Sequence, residues 1–214
     1  MNVFSKCAAV AAVGLFASAG AANAGVIFQD DFNRSSSNTV GNGWTERENG
    51  SSDVAVNSNA LQLRDEASGG APDAAAATAV IDASGLTNVT LSFDWTAING
   101  NETNDYLYVS YAIVPAPSMS QETSWTQVFS GSDDNGGSFS ESFVLAGLEG
   151  ANFQLMFWTD VSRNNEGFMI DNVVVDGIVI DDPNAAAVPV PAALPLMGAG
   201  LVGLGLIARK RKSA

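Results

Sequence analysis

Apolar residues occupy every second position in several stretches of this 214-residue chain. In Val89-Thr90-Leu91-Ser92-Phe93-Asp94-Trp95 the alternation is strict, the period of a half-buried strand. Leu107, Val109, Tyr111 and Ile113 repeat it, with Tyr106 and Tyr108 on the opposite face. The same reading predicts strands over 26–32, 54–56, 61–64, 78–82, 125–130, 139–145, 153–159 and 169–180. Clusters such as Asn57-Ser58-Asn59, Ser68-Gly69-Gly70 and Asp133-Asp134-Asn135-Gly136-Gly137 separate them as turns. Phe153 to Trp158 is apolar on both faces and belongs at a sheet centre. Ala74 to Ala77 could form a helical turn, but Pro72 and the flanking glycines favour a loop. About ten short strands without a sustained helical period predict an all-β fold, a two-sheet antiparallel β-sandwich of jelly-roll type. There is no internal repeat, which disfavours solenoids and propellers.

The two ends depart from this pattern. Residues 1–24 carry one early cation, Lys6, then an apolar run and the small residues Ala22 and Ala24. That is the layout of a secretory signal peptide cleaved before Gly25, read by the Sec translocon. At the other end, residues 192–208 are free of charge and just long enough for a transmembrane helix. Arg209-Lys210-Arg211-Lys212 follows and holds the tail on the cytoplasmic side, so both ends predict an exported domain. Ahead of the span, Val188-Pro189-Val190-Pro191-Ala192 is held extended by its prolines, the conformation a processing cleft accepts. The expected organisation is a signal peptide over 1–24, a β-sandwich over 25–180, a linker over 181–187 and a terminal signal over 188–214.

This terminal arrangement closely resembles the VPLPA-CTERM relatives of the PEP-CTERM sorting signals: a proline motif, an apolar helix and a basic cluster. Residues 188–192 match the motif at four of five positions, with Val190 where leucine is usual. The resemblance implies a Gram-negative bacterium and an exosortase-type membrane transpeptidase as partner. It also implies a destination at the cell surface or in the extracellular matrix, among polysaccharides. The membrane contact is transient if the tail is cut and permanent if it is kept.

Charge and composition narrow the chemistry. Within residues 25–187 lie four arginines and all 23 acidic residues, a balance of −19. Such a surface repels nucleic acid. The single cysteine, Cys7, leaves with the signal peptide, and the chain has no histidine. Cys/His zinc sites and Cys- or His-based triads are therefore excluded. Carboxylate pairs remain as catalysts, but no Glu-x-Asp-x-x-Glu string of sandwich-fold glucanases is present, and Arg47 between Glu46 and Glu48 reads as an ion-pair cluster. The domain reads as non-enzymatic.

Phe28-Gln29-Asp30-Asp31-Phe32 with the closing Gly167-Phe168-Met169-Ile170-Asp171-Asn172 resembles the first and last strands of concanavalin-like, MAM-like or carbohydrate-binding jelly rolls. The resemblance implies neighbouring terminal strands. Asp30 or Asp31 could then meet Asp171 or Asn172 around a structural Ca²⁺, with Asp31 and Asp171 as the candidate ligands. Sugars stack on exposed aromatic rings beside polar groups, which nominates Trp44, Trp125, Tyr106 and Tyr108. Trp95 and Trp158 lie in strongly apolar strands and are assigned to the core. The expected function is a secreted matrix or surface protein that binds polysaccharide, with calcium a candidate cofactor. The alternatives are a structural or adhesive protein without a sugar site, and a polysaccharide-cleaving enzyme.

Overall fold

The computed structural model describes residues 24–50, 52–64, 73–98, 101–163 and 165–179. Residues 22, 188–192 and the rest of the terminal signal lie outside this set. Among the described residues no helix is long and apolar enough to cross a membrane.

Among the described residues twelve strands run in order: β1 (Ala24–Asp30), β2 (Thr45–Glu48), β3 (Val54–Asn57), β4 (Ala60–Arg64), β5 (Ala74–Ala77), β6 (Ile81–Asp82), β7 (Leu86–Ala97), β8 (Tyr106–Ile113), β9 (Thr126–Gly131), β10 (Ser138–Val144), β11 (Asn152–Asp160) and β12 (Gly167–Val179). They form two six-stranded antiparallel sheets, the sandwich the alternation predicts. Sheet A runs β10-β7-β12-β4-β3, with β1 also paired to β12. Sheet B runs β2-β5-β11-β8-β9, with β6 also paired to β11. A 13-residue strand serves two partners on one edge: β4 pairs with Gly167–Ile170 of β12 and β1 with its C-terminal half. The register shift between Asp171 and Val174 separates these halves, and Asn172 there adopts φ 50°.

The core follows from the period of two. Val89, Leu91, Phe93 and Trp95 of β7 turn inward, as do Leu107, Val109 and Tyr111 of β8 and Phe153, Leu155 and Phe157 of β11. Phe93 anchors the centre, edge to face against Phe157 at 5.3 Å and Phe129 at 5.5 Å. Terminal strands β1 and β12 are hydrogen-bonded neighbours, as the jelly-roll resemblance implies. β11 is central in sheet B, as its two apolar faces require.

Two elements differ from the sequence reading. Ala74–Ala77 is not a loop but a fully buried strand, β5, between β2 and β11. Alanine favours helix in isolation, but here tertiary pairing prevails, and a small side chain fits a strand covered on both faces. Thr45–Glu48, where the sequence predicts no strand, is the edge strand β2. Its polar residues carry no alternation, and only pairing with β5 makes it a strand.

Candidate functional site

Sheet B has an unusual outer face. Alternation on β8 sends Leu107, Val109 and Tyr111 inward and Tyr106, Tyr108 and Ser110 outward. On β11, Trp158 stands opposite Tyr108 and Asp160 opposite Tyr106. The Tyr108 and Trp158 rings stack with centroids 4.0 Å apart and planes 16° apart. Tyr106 continues the row, 5.7 Å from Tyr108 and tilted by 32°. On the far side of Trp158 the register places Ala75 of β5 and then Arg47 of β2. The Trp158 indole N–H donates to Ser110 Oγ at 3.4 Å, fixing the ring. Burial, then the charge of Asp160 and the neighbouring Tyr106, raise the Tyr108 phenol above its usual pKa. Its hydroxyl therefore stays protonated, available as a hydrogen-bond donor. The arrangement is a pair of half-buried tyrosine rings backed by the buried Trp158 indole, with Asp160 opposite Tyr106.

Tyr106 and Tyr108 are thus brought together, both half-buried. The other two nominated aromatics are not surface rings. Trp44 is 7% exposed, packed against Phe28, Phe32 and Phe157, and its indole N–H donates to Asp30 Oδ2 at 2.8 Å. Trp125 is 6% exposed and packs in a cluster with Ala112, Met156 and Trp158, against which Ala116 and Met119 also pack. Polar neighbours in sequence suggested exposure for both, but long-range packing buries them. Trp158 is buried, as its apolar strand predicts: it is 8% exposed and lies in a second core cluster with Ala75, Ala77, Ala112, Trp125 and Met156, separate from the main core between the sheets. Trp95 does lie in the core.

The acidic residues nominated for calcium lie near the β1–β12 junction. Asp30 is committed: Arg34 grips both carboxylate oxygens, at 2.6 and 3.1 Å. Asp31 is exposed and accepts the Asn33 N–H at 3.1 Å. Asp171 accepts the Asn172 N–H at 2.7 Å and faces Asp94 across the β7–β12 pairing. Among the described residues no group of three or more Asp, Glu, His or Cys is gathered to hold a metal ion.

Asp171 nonetheless carries a signature of crowding. Burial, then Asp94, Asp31 and Asp30, push its carboxyl above the usual range, only partly offset by the Asn172 N–H. A carboxyl whose folded-state pKa exceeds its unfolded value favours the fold fully only when protonated. Its contribution is lost as pH rises from the unfolded value through the folded one. Asp171→Asn keeps the acceptor and removes the charge. We expect its melting temperature at neutral pH to exceed wild type by about 1–3 °C, the size of a gain below 1 kcal/mol in such a domain. The difference should vanish as pH falls below the ordinary aspartate range. A pH-independent difference, or a loss, would contradict the crowding.

No family model and no curated protein matches the chain. Solved structures do share the fold. The K3 cleaved adhesin domain of Lys-gingipain from Porphyromonas gingivalis w83 aligns with a TM-score of 0.50 and 12% identity, over 72% of this chain and 99% of that one. A family 29 carbohydrate-binding module, CBM29-2, aligns with a TM-score of 0.43 and 12% identity, over 79% and 100%. The CBM22-1 xylan-binding domain of Paenibacillus barcinonensis Xyn10C gives 0.40 and 12%, over 75% and 99%. At these identities the likeness is one of fold.

Proposed function

We propose that the domain is a non-enzymatic module that binds polysaccharide across the outer face of sheet B. In this reading the Sec pathway exports it and an exosortase-type transpeptidase acts at residues 188–192. Its destination is the cell surface or extracellular matrix of a Gram-negative bacterium. The observation that carries the binding role is the half-buried pair Tyr106–Tyr108 on a face turned away from the core between the sheets, backed by Trp158. The solvent face of an antiparallel sheet is ordinarily polar. The half-buried Tyr106 and Tyr108 rings there offer apolar surface to the C–H groups of pyranose rings, with the Trp158 indole, 8% exposed, packed behind Tyr108. Asp160, Arg47 and the tyrosine hydroxyls are placed beside it for sugar hydroxyls. Binding to the strip calls on no metal.

The test is retention on a panel of soluble and insoluble polysaccharides, with and without EDTA. We expect retention of at least one glycan, unchanged by EDTA, and at least tenfold weaker in Tyr106→Ala and in Tyr108→Ala. Loss of one stacking ring at a binding site costs about 1–2 kcal/mol, which is that factor. Tyr106 is the cleaner probe, because its half-exposed ring leaves the fold intact when removed. Absence of retention across the panel would favour a structural matrix role without a sugar site. Reducing-sugar release by the wild-type domain would instead favour the polysaccharide-cleaving reading.

A further inference from the structure

The charge beside the tyrosine pair bears on the kind of sugar that fits it. Asp160 of β11 stands directly opposite Tyr106 of β8, a pairing that sets the two Cβ atoms about 5 Å apart. Tyr108 follows on the same strand face, its ring centroid 5.7 Å from that of Tyr106. Asp160 is exposed, and among the described residues no hydrogen bond or ion pair engages its carboxylate. The acids near it are committed. Glu102 pairs with Arg163 at 2.6 Å, and Asp105 accepts the Glu102 and Ser162 N–H groups. After burial, the Asp160 charge is the largest cause that raises the Tyr108 phenol, so its field reaches the second ring as well.

Cations do not balance it. The described residues contain no lysine and four arginines. Arg34 is held by Asp30, Arg163 by Glu102, and Arg64 lies in sheet A. Arg47 shares the face, but its strand is three strand spacings from β8, about 14 Å, with Trp158 between. That exceeds the Debye length of about 10 Å at 0.1 M salt, whereas Asp160 lies well inside it. A free carboxylate next to the negative faces of aromatic rings is a cation site. The domain's balance of −19 adds a field of the same sign.

We propose that the sugar bound on this face carries a protonated amine, seated between Asp160 and the Tyr106 ring while the pyranose C–H groups meet the tyrosines. The proposal rests on the sheet B reading and names its glycan class: polymers of de-N-acetylated amino sugars, in preference to neutral or uronic ones. An exposed cation–π contact and an exposed ion pair together are worth about tenfold in affinity.

Three β-1,4-linked hexasaccharides test this, because they differ at carbon 2 alone. The glucosamine hexamer bears an ammonium there, the N-acetylglucosamine hexamer an acetamide and cellohexaose a hydroxyl. Calorimetric titration of the exported protein at about pH 5.5, where sugar amines are protonated, ranks them. An oligogalacturonate is the anionic control, and hexalysine is a cation without a sugar. The glucosamine hexamer should bind about tenfold tighter than the other two, and the oligogalacturonate should not bind. Raising salt from about 0.01 M to about 1 M shortens the Debye length from about 30 Å to about 3 Å and should remove most of the preference. Asp160→Asn keeps the shape and removes the charge. It should bring the three hexamers within about threefold of one another and leave cellohexaose unchanged. Tyr106→Ala should weaken all three about tenfold. Melting curves confirm that both variants fold.

Equal affinity for the three hexamers, each weakened by Tyr106→Ala, overturns the amine and leaves the sheet B site standing. So does retention of some other glycan when no hexamer binds. An amine preference that survives Asp160→Asn belongs to the charge of the whole domain and overturns the seat beside Tyr106. Glucosamine binding that hexalysine matches and Tyr106→Ala leaves intact overturns both readings, as does the absence of binding to any glycan.

Discussion

Gly167→Ala should lower the melting temperature by about 6–12 °C, a loss of about 3 kcal/mol in a domain of this size. Gly167 opens β12 at φ 153°, in the region that side chains avoid. A Cβ there would lie 2.2 Å from the carbonyl oxygen of Leu63 and 3.0 Å from the Arg64 Cα. Both are backbone atoms of β4, so no rotamer change relieves the clash. The strand pair must separate where Gly167 meets Arg64. Separation also strains a buried exchange of hydrogen bonds. Asn101 accepts the Gly167 N–H at 2.8 Å and donates to its carbonyl at 2.9 Å. Ile98 N–H donates to the same carbonyl at 2.9 Å. Gly85 supplies the control. It also has positive φ, 74°, but nothing lies within 4 Å of its Cβ position. Gly85→Ala should cost about 1 kcal/mol, the backbone term alone. Thermal melts of the two variants separate the contact from the conformation. Equal losses would show that the approach of β4 to β12 does not limit residue choice at 167.

The contrast marks what a sequence can and cannot disclose. Val89 to Trp95 and Leu107 to Ile113 were legible as strands because one face of each meets the core and the other does not. The same rule failed for β5, where four alanines give no contrast between faces, and for β2, where four polar residues give none either. The aromatic residues show a second limit. Trp44 follows a turn and looks exposed, yet its indole N–H finds Asp30, fourteen positions away, and its rings of contact come from β1 and β11. Burial of that kind is set by which strands become neighbours. Trp158 lies in a strand apolar on both faces because the core covers one face and the outer cluster the other. Tyr106 and Tyr108 were legible because they break the polar half of an alternating strand.

Asp30→Ala should destabilise the domain by about 3–5 kcal/mol at neutral pH, because it strips the acceptor from buried donors and strands a cation. The Asp30 side chain is only 3% exposed and receives four hydrogen bonds. Two come from the Arg34 guanidinium, one from the Phe32 N–H at 2.9 Å and one from the Trp44 indole at 2.8 Å. Arg34 in turn lies over the Phe32 ring and donates to the Val40 carbonyl at 3.2 Å. The carboxylate thus ties β1 to the loop that leads to Trp44. Burial alone would raise its pKa, but the Arg34, Phe32 and Trp44 bonds together outweigh burial and hold it below the usual range. A depressed folded-state pKa stabilises the fold above the unfolded value, and that stability is lost as pH falls through the folded one. Asp30→Asn, which keeps the shape and loses the charge, should therefore match wild type in strong acid and fall short of it by about 1.5–3 kcal/mol above pH 5. Asp171 runs the opposite way over a neighbouring interval, so the double variant Asp30→Asn/Asp171→Asn should have the flattest stability profile between pH 3 and 7. Chemical denaturation across that interval measures it. An Asp30→Asn deficit that persists unchanged in strong acid would show that the ion pair with Arg34 contributes nothing to the charge-dependent part of the fold.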